Sequence, residues 1–200
     1  MTEQARLQLK MKRRTEGMIS TLLGKATKEP IELEPVRSRD ESGEELVCSL
    51  KKSGFLVTPK ARQILESPLL WPVQVRGQRF HPVIIPDKVL GVKNNTIESA
   101  RRKARELNLI DPTIELAPLL RFAIDRGWMK QRKLHRIVVP HAHIVGNRDA
   151  QGGAQRLHLG IHSYDRGDHL AAFADYPGFD WGKGMGWVFL KPDNEMRQAA

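Results

Sequence analysis

The chain is predicted to fold as an α+β domain: an antiparallel sheet built from hairpins, helices packed against it, and a basic amphipathic helix at the N-terminus. Three observations predict this class. From position 46 onward, short runs rich in β-branched and aromatic residues alternate with turn residues. Helix-opening signatures interrupt them at Thr58-Pro59 and at Asn95–Glu98. Both halves of the histidine-rich stretch 135–169 alternate with period two around a turn-rich centre. Composition agrees, because 28% charged and 40% hydrophobic residues in a chain of 200 are globular proportions. They exclude a wholly disordered chain and a collagen-like repeat. Cys48 is the single cysteine, so an intrachain disulfide and a Cys-rich zinc module are excluded as well.

In chain order, residues 2–23 read as a helix, with Leu7, Met11, Met18 and Leu22 recurring at helical spacing. Arg6, Lys10, Lys12, Arg13 and Arg14 cover its other faces, so residues 1–28 form a basic arm suited to a phosphate backbone or a protein partner. Residues 29–45 hold seven acids against two arginines and read as an exposed acidic linker or long loop. The rest of the chain is therefore more basic than its net charge of +10 suggests. Residues 46–192 form the predicted α+β core, and 193–200 a tail. LVCSL-KKSG-FLVT reads as a hairpin turning at Ser53-Gly54, with Cys48 a buried small hydrophobe. Thr58 and Pro59 supply the N-cap and first turn of a short helix. WPVQV and FHPVIIP read as strands whose prolines suggest edges or bulges. Asn95–Glu98 opens the helix IESARRKARELNL like a capping box. Asp111-Pro112 opens a further helical stretch that Gly127 can terminate.

The pI near 10 argues about partners rather than fold: nucleic acid first, DNA or RNA, recognised mainly through phosphates. The candidate contacts are Arg13, Arg14, Arg101, Arg102, Lys103, Arg105, Lys130, Arg132, Lys133 and Lys183. The chain begins MTEQARLQLKMKRR, with charges where a signal peptide needs an apolar core, and no apolar run is long enough to cross a bilayer. The expectation is a cytoplasmic protein without a membrane span.

Six of the seven histidines fall between positions 135 and 169. If the hairpin there centres near Ala150-Gln151, His143 faces His158 and Val139 faces His162. His141, His143, His158 and His162 then share one sheet face. Imidazoles so grouped can act in two ways. His141, His143 and His158 can hold a divalent metal such as Zn or Mn. Alternatively the histidines can exchange protons with a scissile phosphate without a metal. Either chemistry would make the protein a phosphodiesterase or nuclease rather than a binding protein. His141-Ala142-His143, between Val138-Val139 and Ile144-Val145, resembles the His-hydrophobe-His strand of HUH endonucleases. That resemblance covers three residues strictly. It implies a metal on the two histidines and a nucleophilic tyrosine on a later helix. Tyr176, at the end of the helix-like DHLAAFADY, takes that position, whereas the family's lysine or second tyrosine near the nucleophile is absent.

Seven of the twelve aromatic residues follow position 163, bracketing Gly182-Lys183-Gly184. Glycines let a backbone approach phosphate and aromatics can stack on bases. The same pattern also suits a core strand, WVFLK, entered through a glycine-rich turn, with Phe173 and Trp187 buried.

Overall fold

The computed structural model describes residues 29–71, 77–91, 95–142, 144–148, 154–164, 167–176 and 178–192. Among the described residues the strands are β1 (Ile31–Glu32), β2 (Val36–Arg37), β3 (Leu56–Val57), β4 (Arg79–Phe80), β5 (Pro82–Pro86), β6 (Arg136–Val138), β7 (Ile144–Arg148), β8 (Ala154–Tyr164), β9 (Gly167–Asp175) and β10 (Met185–Leu190). The helices are α1 (Gly43–Lys52), α2 (Pro59–Leu65), α3 (Asp87–Leu90), α4 (Ile97–Glu106), α5 (Leu116–Ala123) and α6 (Arg126–Gln131). The predicted helix over 2–23, including Arg13 and Arg14, and the tail 193–200 lie outside the described residues.

The main sheet runs β1-β5-β10-β6-β8-β9-β3, with β7 paired to β8, and β2-β4 is a separate ribbon. The α+β class stands and most pairings are antiparallel. Two are parallel, however: β6 with β10 and β3 with β9. Hairpins therefore build only part of the sheet. Its centre is closed by strands nearly fifty residues apart, Arg136 lying opposite Met185.

Period-two alternation sends side chains to opposite faces, and helices cover both. Ile84, Ile137, Leu159, Ile161, Leu170 and Val188 join a core with Leu46 and Leu50 of α1, Ile64 of α2, Leu120 of α5 and Met129 of α6. Ile85, Val138, Trp187 and Phe189 join a second core with Leu90 of α3 and Ile97, Ala100 and Ala104 of α4. Gly160 sits where β8 crosses β6 most closely. A Cβ there would lie 2.3 Å from the Ile137 carbonyl oxygen, so only glycine fits.

Several expectations are corrected by local chemistry. The stretch 29–45 is not wholly a tether: β1 adds to β5 and β2 pairs with β4. Ser42 then opens α1 with a reciprocal capping box, its Oγ accepting from the Glu45 N–H and Glu45 accepting from the Ser42 N–H at 2.7 Å. The predicted LVCSL strand is therefore helical. Leu46, Val47 and Leu50 form its buried stripe and Cys48 is exposed rather than buried. β5 is an interior strand despite its prolines, paired with β1 on one side and β10 on the other. The capping box of α4 begins one residue later than predicted, at Thr96 with Ser99. Gly127 lies inside α6, which Asp125 caps, and does not end a helix. The segment DHLAAFADY is strand β9, paired along its length with β8. Among the described residues no helix is long and apolar enough to cross a membrane.

Candidate functional site

The histidine hairpin forms with two registers. Ile144 lies opposite Leu157, as the sequence predicts, but Arg136 rather than Val139 lies opposite His162. The three-residue offset is absorbed around Val139–Ala142. Val139 still donates to the Leu159 carbonyl at 3.0 Å, but Pro140 has no N–H, and the His141 N–H turns back to the Val139 carbonyl at 2.9 Å. The imidazole of His141 repairs the ladder: the Leu159 N–H donates to its Nε2 at 3.0 Å, while Nδ1 lies 2.5 Å from the Ala142 carbonyl oxygen. With Nε2 accepting, Nδ1 carries the proton and donates. The ring is 2% exposed and both nitrogens are engaged, so ligating a metal would orphan a buried backbone donor.

His158 is buried beside it, the two rings 5.2 Å apart. His162 points to the same face two positions on, as predicted, with Phe173 at 6.1 Å. His143 lies outside the described residues. Among the described residues no group of three or more His, Cys, Asp or Glu is placed to hold a metal ion. Tyr176 follows strand β9 and faces Phe179 at 6.2 Å. It sits on no helix, so the helix-borne nucleophile implied by the endonuclease resemblance is not formed.

A different grouping appears at the C-terminal end of β8. Register places Met185, Arg136, His162 and His169 in one row across β10, β6, β8 and β9. Beside this row is a pocket of about 450 Å³ lined by His135, Arg136, His162, Ser163 and Lys183, with Trp181 and Met185 as apolar wall. Among the described residues no carboxylate lines it. The nearby carboxylates are occupied. Asp87 accepts from the N–H groups of Gly184 and Lys88, both at 2.9 Å. Asp180 accepts from Gly182 at 3.0 Å and Asn95 at 3.1 Å, and these bonds, Gly182 first, hold it below the usual carboxylate range. Asp168 accepts from the Ser163 hydroxyl at 2.7 Å and lies 3.7 Å from Arg121. Burial first, and then Arg136, His169 and His135, lower the pKa of His162 to about 4. It is a neutral imidazole at pH 7.

The turn that presents Lys183 packs closely against His135. Gly184 has φ +75, and a Cβ on it would lie 2.4 Å from the His135 ring. His135 donates its N–H to the Gly184 carbonyl at 2.8 Å, tying the turn to β6.

The predicted basic contacts divide by environment. Arg101 is turned inward, donating to the carbonyls of Pro140 at 2.8 Å and His141 at 3.2 Å and pairing with Asp111 at 3.2 Å. It fixes the His141 crossing. Lys103 pairs with Glu106 at 2.9 Å. Arg102 and Arg105 are exposed on α4. Arg132 stacks over Trp128 at 3.9 Å. Lys130, Lys133 and Lys183 are exposed. Among the described residues, neither Arg136 nor Lys183 has a carboxylate partner. Sequence reasoning did not select His135 and Arg136. Their signal was continuity with the KQRK run, which ends directly before Leu134-His135-Arg136.

Comparison of the chain with protein-family models, with curated proteins and with solved structures finds no match.

Proposed function

We propose that the protein binds nucleic acid, DNA or RNA, chiefly through phosphates, at the end of the sheet where β6 and β10 begin. One observation carries this reading: His135, Arg136 and Lys183 converge on a pocket that, among the described residues, no carboxylate lines. Lys130, Arg132 and Lys133 precede it directly in the chain. Cations without a carboxylate partner among the described residues keep their charge available to an anion, and a phosphate backbone is the polyanion that such a surface suits. Arg102 and Arg105 on α4 provide a second basic strip. The test is affinity for a labelled oligonucleotide across a salt series. About six neutralised phosphates should cost roughly a thousandfold in affinity between about 50 and 200 mM salt. Affinity insensitive to salt would overturn the reading.

A second reading, histidine-dependent phosphodiester cleavage, is favoured by one observation: His135 and His162 line the same pocket. A neutral His162 can accept a proton and His135 can supply one. Cleavage that survives chelator and disappears in His162→Gln would support it. Intact oligonucleotide after prolonged incubation would remove it.

A further inference from the structure

We infer that the His135–Lys183 pocket takes a phosphomonoester, the phosphate at a strand end, in preference to the internal diesters of a backbone. This rests on the nucleic-acid reading above and narrows it. Shape is the first argument. A duplex or extended strand presents its diesters along an outer ridge, which a basic rim can touch. A pocket of about 450 Å³ is instead the size of a small-ligand site, commonly about 300–1,000 Å³, and admits a terminus.

Charge is the second argument. A diester carries one negative charge, whereas a monoester, with its second pKa near about 6, approaches two at neutral pH. The pocket offers Arg136 and Lys183 from separate segments, with His135 between strand and turn, and among the described residues no carboxylate lines it. Asp87 and Asp180 are directed at the backbone N–H groups that shape the turn rather than into the pocket.

The third argument is preorganisation. Lys183 sits between Gly182 and Gly184, both at positive φ, and Gly184 is in contact with the His135 ring. The backbone that carries Lys183 is therefore set against His135 before any ligand arrives, which lowers the ordering cost of binding. Trp181 and Met185 beside them give an apolar wall for the sugar that carries the phosphate.

The test compares one single-stranded oligonucleotide bearing a 5′-phosphate, a 3′-phosphate or neither, by fluorescence anisotropy with the full chain. One terminal phosphate should raise affinity by about tenfold, as charge-assisted contacts to an ionised oxygen allow. Arg136→Gln and Lys183→Gln should each remove the preference, whereas Lys51→Gln on α1 should keep it, with matching thermal melts for all variants. A nucleoside monophosphate competing as well as the phosphorylated strand would place the monoester on a free nucleotide. Competition only by the strand would place it at a nucleic-acid end. Equal affinity for all three strands with steep salt dependence would overturn the monoester inference and leave backbone binding standing. Failure of every strand to bind at low salt would overturn both.

Discussion

The middle of β8 and its C-terminal end meet histidines from the same stretch of sequence and use them oppositely. At the middle His141 is locked between the Leu159 N–H and the Ala142 carbonyl, with His158 packed on it and Arg101 holding the carbonyls of Pro140 and His141. At the end, His135 and His162 border a pocket with Arg136 and Lys183. The difference is whether the backbone needs the side chain. Where Pro140 interrupts the ladder, an orphaned N–H recruits an imidazole, which becomes part of the scaffold. Where β6 and β10 pair regularly, the ladder needs no side chain, and His135 and Lys183 stay exposed beside the buried His162. Histidine density therefore does not by itself mark a chemical site.

The largest effect that could break this comparison concerns His141. His141→Ala leaves the buried Leu159 N–H without its acceptor and opens a cavity, so stability should fall by about 3 kcal/mol in urea denaturation. Oligonucleotide affinity, measured where the variant is still folded, should be unchanged. A stable His141→Ala protein that lost binding would reverse the roles of the two regions.

The pH dependence sharpens the contrast further. His162 has a folded pKa of about 4, below the unfolded value near about 6.5. Between these values the unfolded chain binds more protons, so His162 adds stability above pH about 6.5 that is lost as pH falls towards about 4. Glu115 on the other side of the molecule works oppositely. Burial raises its pKa to about 7, so its neutral form favours the fold at low pH and that gain is lost as pH rises through about 7. Asp175, raised by burial, acts in the same direction as Glu115. The wild-type profile between about pH 4.5 and 6.5 should be shallow because these contributions oppose. His162→Gln should make stability fall with rising pH, and Glu115→Gln should make it rise. Each change in slope should reach at most about 1.4 kcal/mol per pH unit. Identical profiles for the two variants would contradict the assignment.

The smallest stability effect belongs to the open end. Lys183→Ala removes an exposed side chain without an ion pair among the described residues, so stability should change by less than about 0.5 kcal/mol while oligonucleotide affinity drops several-fold. A large loss of stability would make Lys183 part of the scaffold, as His141 is.

Much of the fold was legible from local chemistry: the Thr58-Pro59 helix start, the box that opens α4, the shared face of His158 and His162, and the register at Ile144. The errors have physical causes. DHLAAFADY reads as helix because alanine favours it, but Leu170, Ala172 and Ala174 face one core while Phe173 faces the other, and pairing with β8 overrides propensity. LVCSL reads as strand, although Ser42 and Glu45 already spelled the cap of a helix. The role of His141 depends on the Val139 carbonyl accepting from the His141 N–H and so leaving the Leu159 N–H to the imidazole, and the pocket depends on the parallel pairing of Arg136 with Met185. Neither long-range fact leaves a local trace.

The most direct test of the central claim is the salt slope of oligonucleotide affinity, log Kd against log salt, for wild type, Lys133→Glu/Lys183→Glu and Arg102→Glu/Arg105→Glu. The account predicts a steep wild-type slope that the first pair flattens by about two phosphates' worth or more, with the α4 pair having the smaller effect. A wild-type slope near zero, or one that the pocket-end pair leaves untouched while the α4 pair abolishes it, would contradict the assignment of the interface to the β6–β10 end.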